Sequence, residues 1–244
     1  MKQSLTVVVP ALNEEKNLKA AVTNLVKALD FNKIDWEIIL VNDGSTDGTA
    51  GIIAQLAKEQ PGIKVITHDR RRGIGYSFFE GVKLSTRDAV TWHPGDGEND
   101  AGELVKYLPL LEHVDMIIPF VRNKSVRSYG RRVLSTFYLW AINISFGTMF
   151  NYTNGNVIYR RKVFDVIKPR ANGFFYQTDC LINAVRAGFC FAEVPIKLQQ
   201  RGHGRAKLIA FQSIFMVARD FGRLFVSIHI LRTGGKVSEP RTNQ

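Results

Sequence analysis

Over its first 120 residues the chain alternates short β-rich runs with segments of helical periodicity, and each run ends in a turn of polar, charged or glycine residues. Few folds accept that pattern, because strands that alternate with helices must be joined by crossovers, and crossovers build a mostly parallel sheet wrapped by helices. The runs are Leu5 to Val9, Glu37 to Val41, Ile63 to Thr67, Ala89 to Trp92 and Met116 to Phe120. Helices are expected over Glu15 to Leu29, Thr46 to Glu59, Gly75 to Leu84 and Ala101 to Leu111, several opened by Asn, Ser, Thr or Asp in capping positions. In such sheets ligands lie at the carboxyl ends of the strands, so the turns after the strands are where chemistry is sought.

The second half is less regular. Arg131 to Phe150 reads as helical and aromatic, Tyr152 to Arg160 as a strand passing a polar turn, Thr178 to Ala187 as a helix and Phe189 to Ile196 as a strand. Near the end Phe211, Ile214, Phe215, Ala218, Phe221, Leu224, Phe225 and Ile228 recur at helical spacing, which predicts an amphipathic helix. The last thirteen residues are polar and are expected to be disordered.

Charge divides the chain along the same line. Of 33 Lys+Arg and 22 Asp+Glu, residues 1–120 hold 13 basic and 17 acidic side chains, and residues 121–244 hold 20 and 5. The arginines of the second half are dispersed and no RNA-binding or helix-turn-helix signature accompanies them, so a nucleic-acid-binding module is not expected. Cys180 and Cys190 are too few for a disulfide scaffold or a cysteine zinc site, and read as reduced thiols of a cytosolic protein. The amino terminus lacks the apolar run of a secretory signal, and the uncharged stretch from Val133 to Tyr159 is interrupted too often by polar residues for a spanning helix.

Four turns hold the chemistry. The first two runs end in Pro10-Ala11-Leu12-Asn13-Glu14-Glu15 and in Asn42-Asp43-Gly44-Ser45-Thr46-Asp47-Gly48-Thr49. Carboxylates there suit a nucleoside, since an ionised carboxylate only accepts hydrogen bonds and nucleosides offer imide, amine and hydroxyl donors. The same residues also suit a plain glycine turn that caps the next helix. Neither a Walker loop nor GxGxxG is present. After the fourth run comes His93-Pro94-Gly95-Asp96-Gly97-Glu98-Asn99-Asp100. Asp96 and Glu98, two apart, can converge on one hard divalent cation, or can simply form an acidic surface turn. After the third run stand Arg70, Arg71 and Arg72 beside glycines, of which Arg72 is the best candidate to meet a diphosphate.

Taken in order and spacing, Val-Pro-x-x-Asn-Glu, Val-Asn-Asp-Gly-Ser-Thr-Asp-Gly-Thr and the acidic turn resemble family 2 glycosyltransferases, in particular the dolichyl/polyprenyl-phosphate mannose synthase-like branch. The resemblance implies an α/β fold, a GT-A-type nucleotide-sugar-binding sandwich with a mostly parallel sheet. It divides the chain into a catalytic domain over 1–208 (donor half 1–120, acceptor half 121–208), an amphipathic helix over 209–231 and a tail over 232–244. It implies a nucleoside pocket of Pro10, Leu12, Glu14 and Asp43, and a Mg2+ or Mn2+ ion on Asp96 and Glu98, with Asp96 a catalytic residue through that metal. The family's first acidic residue is here Pro94, which removes one charge from the cluster. On the basic side Arg122, Arg131 and Ser135 match an acceptor segment, Asn154 a polar turn over the donor sugar, and Gln177 and Asp179 a late acidic segment. Arg201 and Lys207 match an Arg-x-x-Gly-x-Ser-Lys loop in which Ala206 replaces the serine.

The function so implied is inverting transfer of a sugar from a nucleotide-sugar donor, with Arg122 and Arg131 binding a polyprenyl phosphate at the cytoplasmic face of a membrane that the protein meets peripherally. A phosphate nucleophile needs no base, whereas a hydroxyl acceptor would need one, with Asp179 the candidate. Two alternatives remain: a soluble family 2 transferase acting on a hydroxyl, and a donor-binding but inactive protein.

Overall fold

A computed structural model describes residues 3–95, 100–123, 129–197 and 211–231. Its centre is a seven-stranded sheet of order β3-β2-β1-β4-β6-β5-β7, made of β1 (Ser4–Ala11), β2 (Asp35–Asn42), β3 (Ile63–Thr67), β4 (Ala89–Trp92), β5 (Met116–Val121), β6 (Ile158–Arg160) and β7 (Phe191–Ile196). All pairings are parallel except those of β6, which runs against both β4 and β5. The GT-A-type α/β sandwich expected from the sequence is present.

Strict alternation along the central strands makes three layers. Val8, Ile39 and Val41 face one core, with Phe78 of α3 (Ile74–Leu84), Ile142 of α5 (Tyr129–Phe146) and Cys180 of α7 (Tyr176–Arg186). Val7, Val9, Ile38 and Leu40 face the other, with Leu25 of α1 (Leu18–Phe31) and Ile53 of α2 (Thr49–Glu59). Strands buried on both faces read as the unbroken apolar runs seen in the sequence. Each fully buried large side chain, Phe78 for example, contributes about 1.5–3 kcal/mol through water removed from it.

A charged group of β2 is buried within this frame. Glu37 of β2 is 4% exposed and accepts hydrogen bonds from the Thr6 hydroxyl (2.6 Å), the Thr86 amide (2.6 Å) and hydroxyl (2.9 Å), and the Lys64 ammonium (2.7 Å). Burial alone would raise its pKa; Lys64, Thr6 and Thr86 outweigh it and hold the carboxyl at about 2.

Several boundaries differ from expectation. The helix expected over Ala101 to Leu111 is α4 (Ala101–Val105) and a separate 3-10 turn (Leu108–Glu112) opened by Pro109, which has no amide to continue the first helix. The strand expected from Tyr152 shrinks to Ile158–Arg160. A short helix, α6 (Val163–Val166), follows it. The carboxyl-terminal helix, α8 (Phe211–Phe225), continues as a π-helical turn (Val226–Ile230). Its Leu224 and Ile228 are buried and Phe221 packs its ring against Phe146 and Phe175, so this helix is seated on the core. The polar tail lies outside the described residues.

Candidate functional site

The parallel register puts the carboxyl ends of β1, β2, β3 and β4 on one edge of the sheet, and there the first two turns are tied to each other. Asn13, held at φ 56°, accepts the Thr46 amide on its side-chain oxygen (2.9 Å), and its own amide donates to the Ser45 hydroxyl (3.1 Å). The Glu15 carboxylate accepts the Gly48 amide (2.9 Å), and the Glu15 amide donates to Asp47 (3.3 Å). The Glu14 amide donates to the Thr49 hydroxyl (2.9 Å). Asn42 and Asp47 perform the local turn and cap duties: Asn42 accepts the Ser45 amide and Asp47 accepts the Thr49 amide and hydroxyl. Slight burial would raise the Asp47 carboxyl, but the Thr49 and Glu15 donors lower it below its ordinary range.

Asp43 is 4% exposed, and its carboxylate is turned to the third loop. One oxygen accepts the Arg72 amide (2.7 Å) and lies 2.9 Å from His68 Nδ1; the other accepts the Gly73 amide (2.9 Å). A carboxylate facing Nδ1 makes it the protonated ring nitrogen. His68 Nε2 is buried and has no hydrogen-bond partner among the described residues. The ring edge of His68 meets Tyr76, and the Arg72 guanidinium lies 4.3 Å above that same tyrosine ring. Gly44, at φ +73°, allows this loop to come so close: a Cβ there would stand 2.5 Å from the Arg70 carbonyl carbon.

The loop is held from its other side as well. The Asn172 carbonyl accepts the amides of Gly75 (2.9 Å) and Tyr76 (3.3 Å) at the start of α3, where a Gly75 Cβ would meet Asn172 at 2.8 Å and the Tyr176 Cβ at 2.7 Å. Next to Asn172, the amides of Arg170 (2.6 Å) and Ala171 (2.9 Å) donate to one oxygen of Asp179, and Asn183 donates to the other (2.6 Å). Asp179 is 3% exposed; burial raises its pKa above the ordinary carboxylate value despite these donors.

A polar turn precedes β6 at the same edge. The Gly155 carbonyl accepts from Gln177 Nε2 and from the Trp92 indole (3.2 Å), and Asn156 Nδ2 donates to the Trp92 carbonyl (3.0 Å). Thr178 donates to Thr153 (3.0 Å) and hydrogen-bonds Tyr138 of α5 (2.7 Å). Burial pushes the Tyr138 hydroxyl up to about 12 against the pull of Thr178 and Thr153, so it stays protonated.

The structure therefore brings Pro10, Leu12, Glu14, Asp43 and Arg72 to one edge, with Arg122 exposed at the end of β5, Asn154 exposed in the polar turn and Gln177 buried beneath it. Ser135 is half-buried on α5, and Arg131 belongs to the first turn of that helix. Asp96, Glu98, Arg201 and Lys207 lie outside the described residues. The described neighbours of the acidic turn are Gly95, buried against Leu18 and Pro10, and Asp100, which accepts the Gly102 amide (2.8 Å). No group of three metal-ligating side chains occurs among the described residues. Sequence reasoning missed His68, Tyr76 and Asn172, and placed Asn13, Thr153 and Asn156 in motifs without giving them a role. Asn13 lies within the quoted motif, and His68 follows a strand directly, which are the signals that would have found them.

Comparison with known proteins adds the following. The profile of Glycosyl transferase family 2 matches residues 6–168. Polyprenol monophosphomannose synthase of Mycolicibacterium smegmatis is 28% identical, over 84% of this chain and 81% of that protein. Glucosyl-3-phosphoglycerate synthase of Mycobacterium tuberculosis, solved with Mn2+, UDP-glucose and phosphoglyceric acid, superposes with a TM-score of 0.66 at 20% identity, over 91% of this chain and 80% of that one. A mycobacterial protein of solved structure gives 0.67 at 26% identity, over 90% and 75%.

These findings correct the expected branch. The profile match over residues 6–168 fixes the family, and an identity of 28% to a polyprenol enzyme leaves the acceptor open, while the fold is shared across nine-tenths of the chain with an enzyme whose complexes hold phosphoglyceric acid. No helix among the described residues is long and apolar enough to cross a membrane. The dolichyl/polyprenyl-phosphate assignment, the lipid-phosphate acceptor and the peripheral membrane contact are accordingly withdrawn.

Proposed function

The chain belongs to glycosyl transferase family 2, and from that premise we propose that it transfers a sugar from a nucleotide-sugar donor to the hydroxyl of a small acceptor that itself carries negative charge. The observation that carries this reading is the convergence on one sheet edge of two interlocked turns, the Asp43-anchored loop with Arg72, and the polar turn before β6. The 20-to-5 excess of basic over acidic side chains in residues 121–244 fits an anionic acceptor, as do the phosphoglyceric acid complexes of the structural relative.

In this reading the nucleoside lies over Pro10, Leu12 and Glu14, and Arg72 and Arg122 face the anionic groups of donor and acceptor. The divalent cation, Mg2+ or Mn2+ as in the relative's complexes, falls to Asp96 and Glu98, hard oxygen ligands that suit either ion. Held there, it would supply positive charge to balance that of the departing diphosphate. The acceptor hydroxyl attacks the anomeric carbon opposite the diphosphate, the bonding pair of the breaking sugar–phosphate bond leaves with the diphosphate, and the hydroxyl proton passes to solvent water.

Asp179 acts at one remove. Buried and spent on Arg170, Ala171 and Asn183, it is out of an acceptor's reach; it positions Asn172, which holds the start of α3 and through it the Arg72 loop. Gln177 and Asn154 shape the turn over the donor sugar, and Arg131, Ser135, Arg201 and Lys207 belong to the acceptor side. The protein works in the cytoplasm, where Cys180 and Cys190 stay reduced.

The test is a panel of UDP-, GDP- and ADP-sugars scored for thermal stabilisation with Mn2+ or Mg2+, followed by nucleoside diphosphate release with 3-phosphoglycerate or a short polyprenyl phosphate as acceptor. Stabilisation by one nucleotide class and transfer to the hydroxy acid support the reading; transfer to the polyprenyl phosphate alone sinks it.

A further inference from the structure

Helix α5 is apolar on two opposite faces, and the fold buries one of them. Ile142 and Phe146 lie in the core, yet on the far side Val133, Phe137, Trp140 and Ile144 are 52%, 64%, 60% and 63% exposed, with the Phe137 and Trp140 rings stacked. Their spacing of four, three and four residues is the narrow seam by which one helix packs on another.

The geometry points to a second copy of this chain as the occupant of that face, in an antiparallel α5–α5 pair about a two-fold axis. The spacing reads the same from either end: with the axis between residues 138 and 139, Val133 meets the partner's Ile144 and Phe137 meets the partner's Trp140. That self-complementarity is what a two-fold interface requires, each patch serving as its own partner. Leu134, 48% exposed, flanks the seam. Arg132, exposed at the positive end of its own helix, comes beside the negative carboxyl end of the partner helix. The face offers about 500 Å2 per copy and about 1,000 Å2 for a pair, the lower bound of a specific interface and the size of a reversible one. Because Tyr138 on the same helix holds Thr178 and Thr153, pairing also braces the polar turn of the active edge.

The test is the mass of the full chain in solution at micromolar concentration, by light scattering and sedimentation equilibrium. A particle of twice 27.5 kDa is expected, shifting to 27.5 kDa in Trp140→Glu without a fall in melting temperature. In a Cys190→Ser background, Val133→Cys combined with Ile144→Cys should give an oxidised covalent dimer, while Val133→Cys alone should not; this arm decides the matter should Trp140→Glu fold poorly. A wild-type monomer, a dimer untouched by Trp140→Glu and not cross-linked by the cysteine pair, or a monomer that floats with phosphatidylcholine/phosphatidylglycerol vesicles would each overturn the inference.

Discussion

Replacing Asp43 by asparagine tests whether the donor edge is held as described. Three donors converge on that carboxylate: the Arg72 and Gly73 amides and His68 Nδ1. Asparagine has one oxygen for them. Whichever way its amide is turned, one backbone N–H faces an NH2 group, because the Arg72 and Gly73 amides are on different oxygens. The orphaned buried amide costs about 1–3 kcal/mol, and the remaining bonds fall from charge-assisted to neutral strength, about 1 kcal/mol each. A loss of about 3–4 kcal/mol lowers the melting temperature of a chain this long by about 10 °C. Thermal melts with and without UDP read both halves of the claim: the variant should melt earlier and gain less from nucleotide, since the Arg72 loop is no longer fixed. A melting temperature within about 2 °C of wild type would refute the reasoning.

Three further outcomes follow. The Glu37 carboxyl titrates at about 2 when folded and near 4.5 when not, so its stabilisation is whole above pH 4.5 and vanishes as pH falls toward 2. That window is worth about 3 kcal/mol, and acid denaturation of Glu37→Gln should show a correspondingly flatter profile across it. Gly75→Ala forces its Cβ against the Asn172 backbone, and should raise the donor KM more than it lowers kcat, read by steady-state kinetics. Asp96→Ala with Glu98→Ala should abolish metal-stimulated transfer while thermal stabilisation by nucleotide without metal persists; full activity in the double variant contradicts the assigned metal site.

Strands β3 and β4 were legible to the residue, and β1 and β2 to within two at each end, because apolar runs between polar turns leave one register. The starts of α1 and α2 were not, whereas that of α4 was exact and that of α3 one residue off. The helix expected from Glu15 begins at Leu18, since Glu14 and Glu15 are engaged across the chain with Thr49, Asp47 and Gly48. The strand expected from Tyr152 was shortened for the same kind of reason: Thr153, Gly155 and Asn156 bond to Trp92, Gln177 and Thr178. Such bonds join residues far apart in sequence, and no local pattern announces them. The role of Asp43 was half visible. Its presence after β2 pointed to the donor edge, but only the fold reveals that it grips its own loop through His68, Arg72 and Gly73.

The clasp between the turns after β1 and β2 has a thermodynamic consequence. Its bonds span 32 to 35 residues, so neither turn can loosen without the other, and both lose their conformational freedom when the sheet forms. A nucleotide arriving there meets a surface already ordered, and the entropy of immobilising these two turns is charged to folding and not to binding.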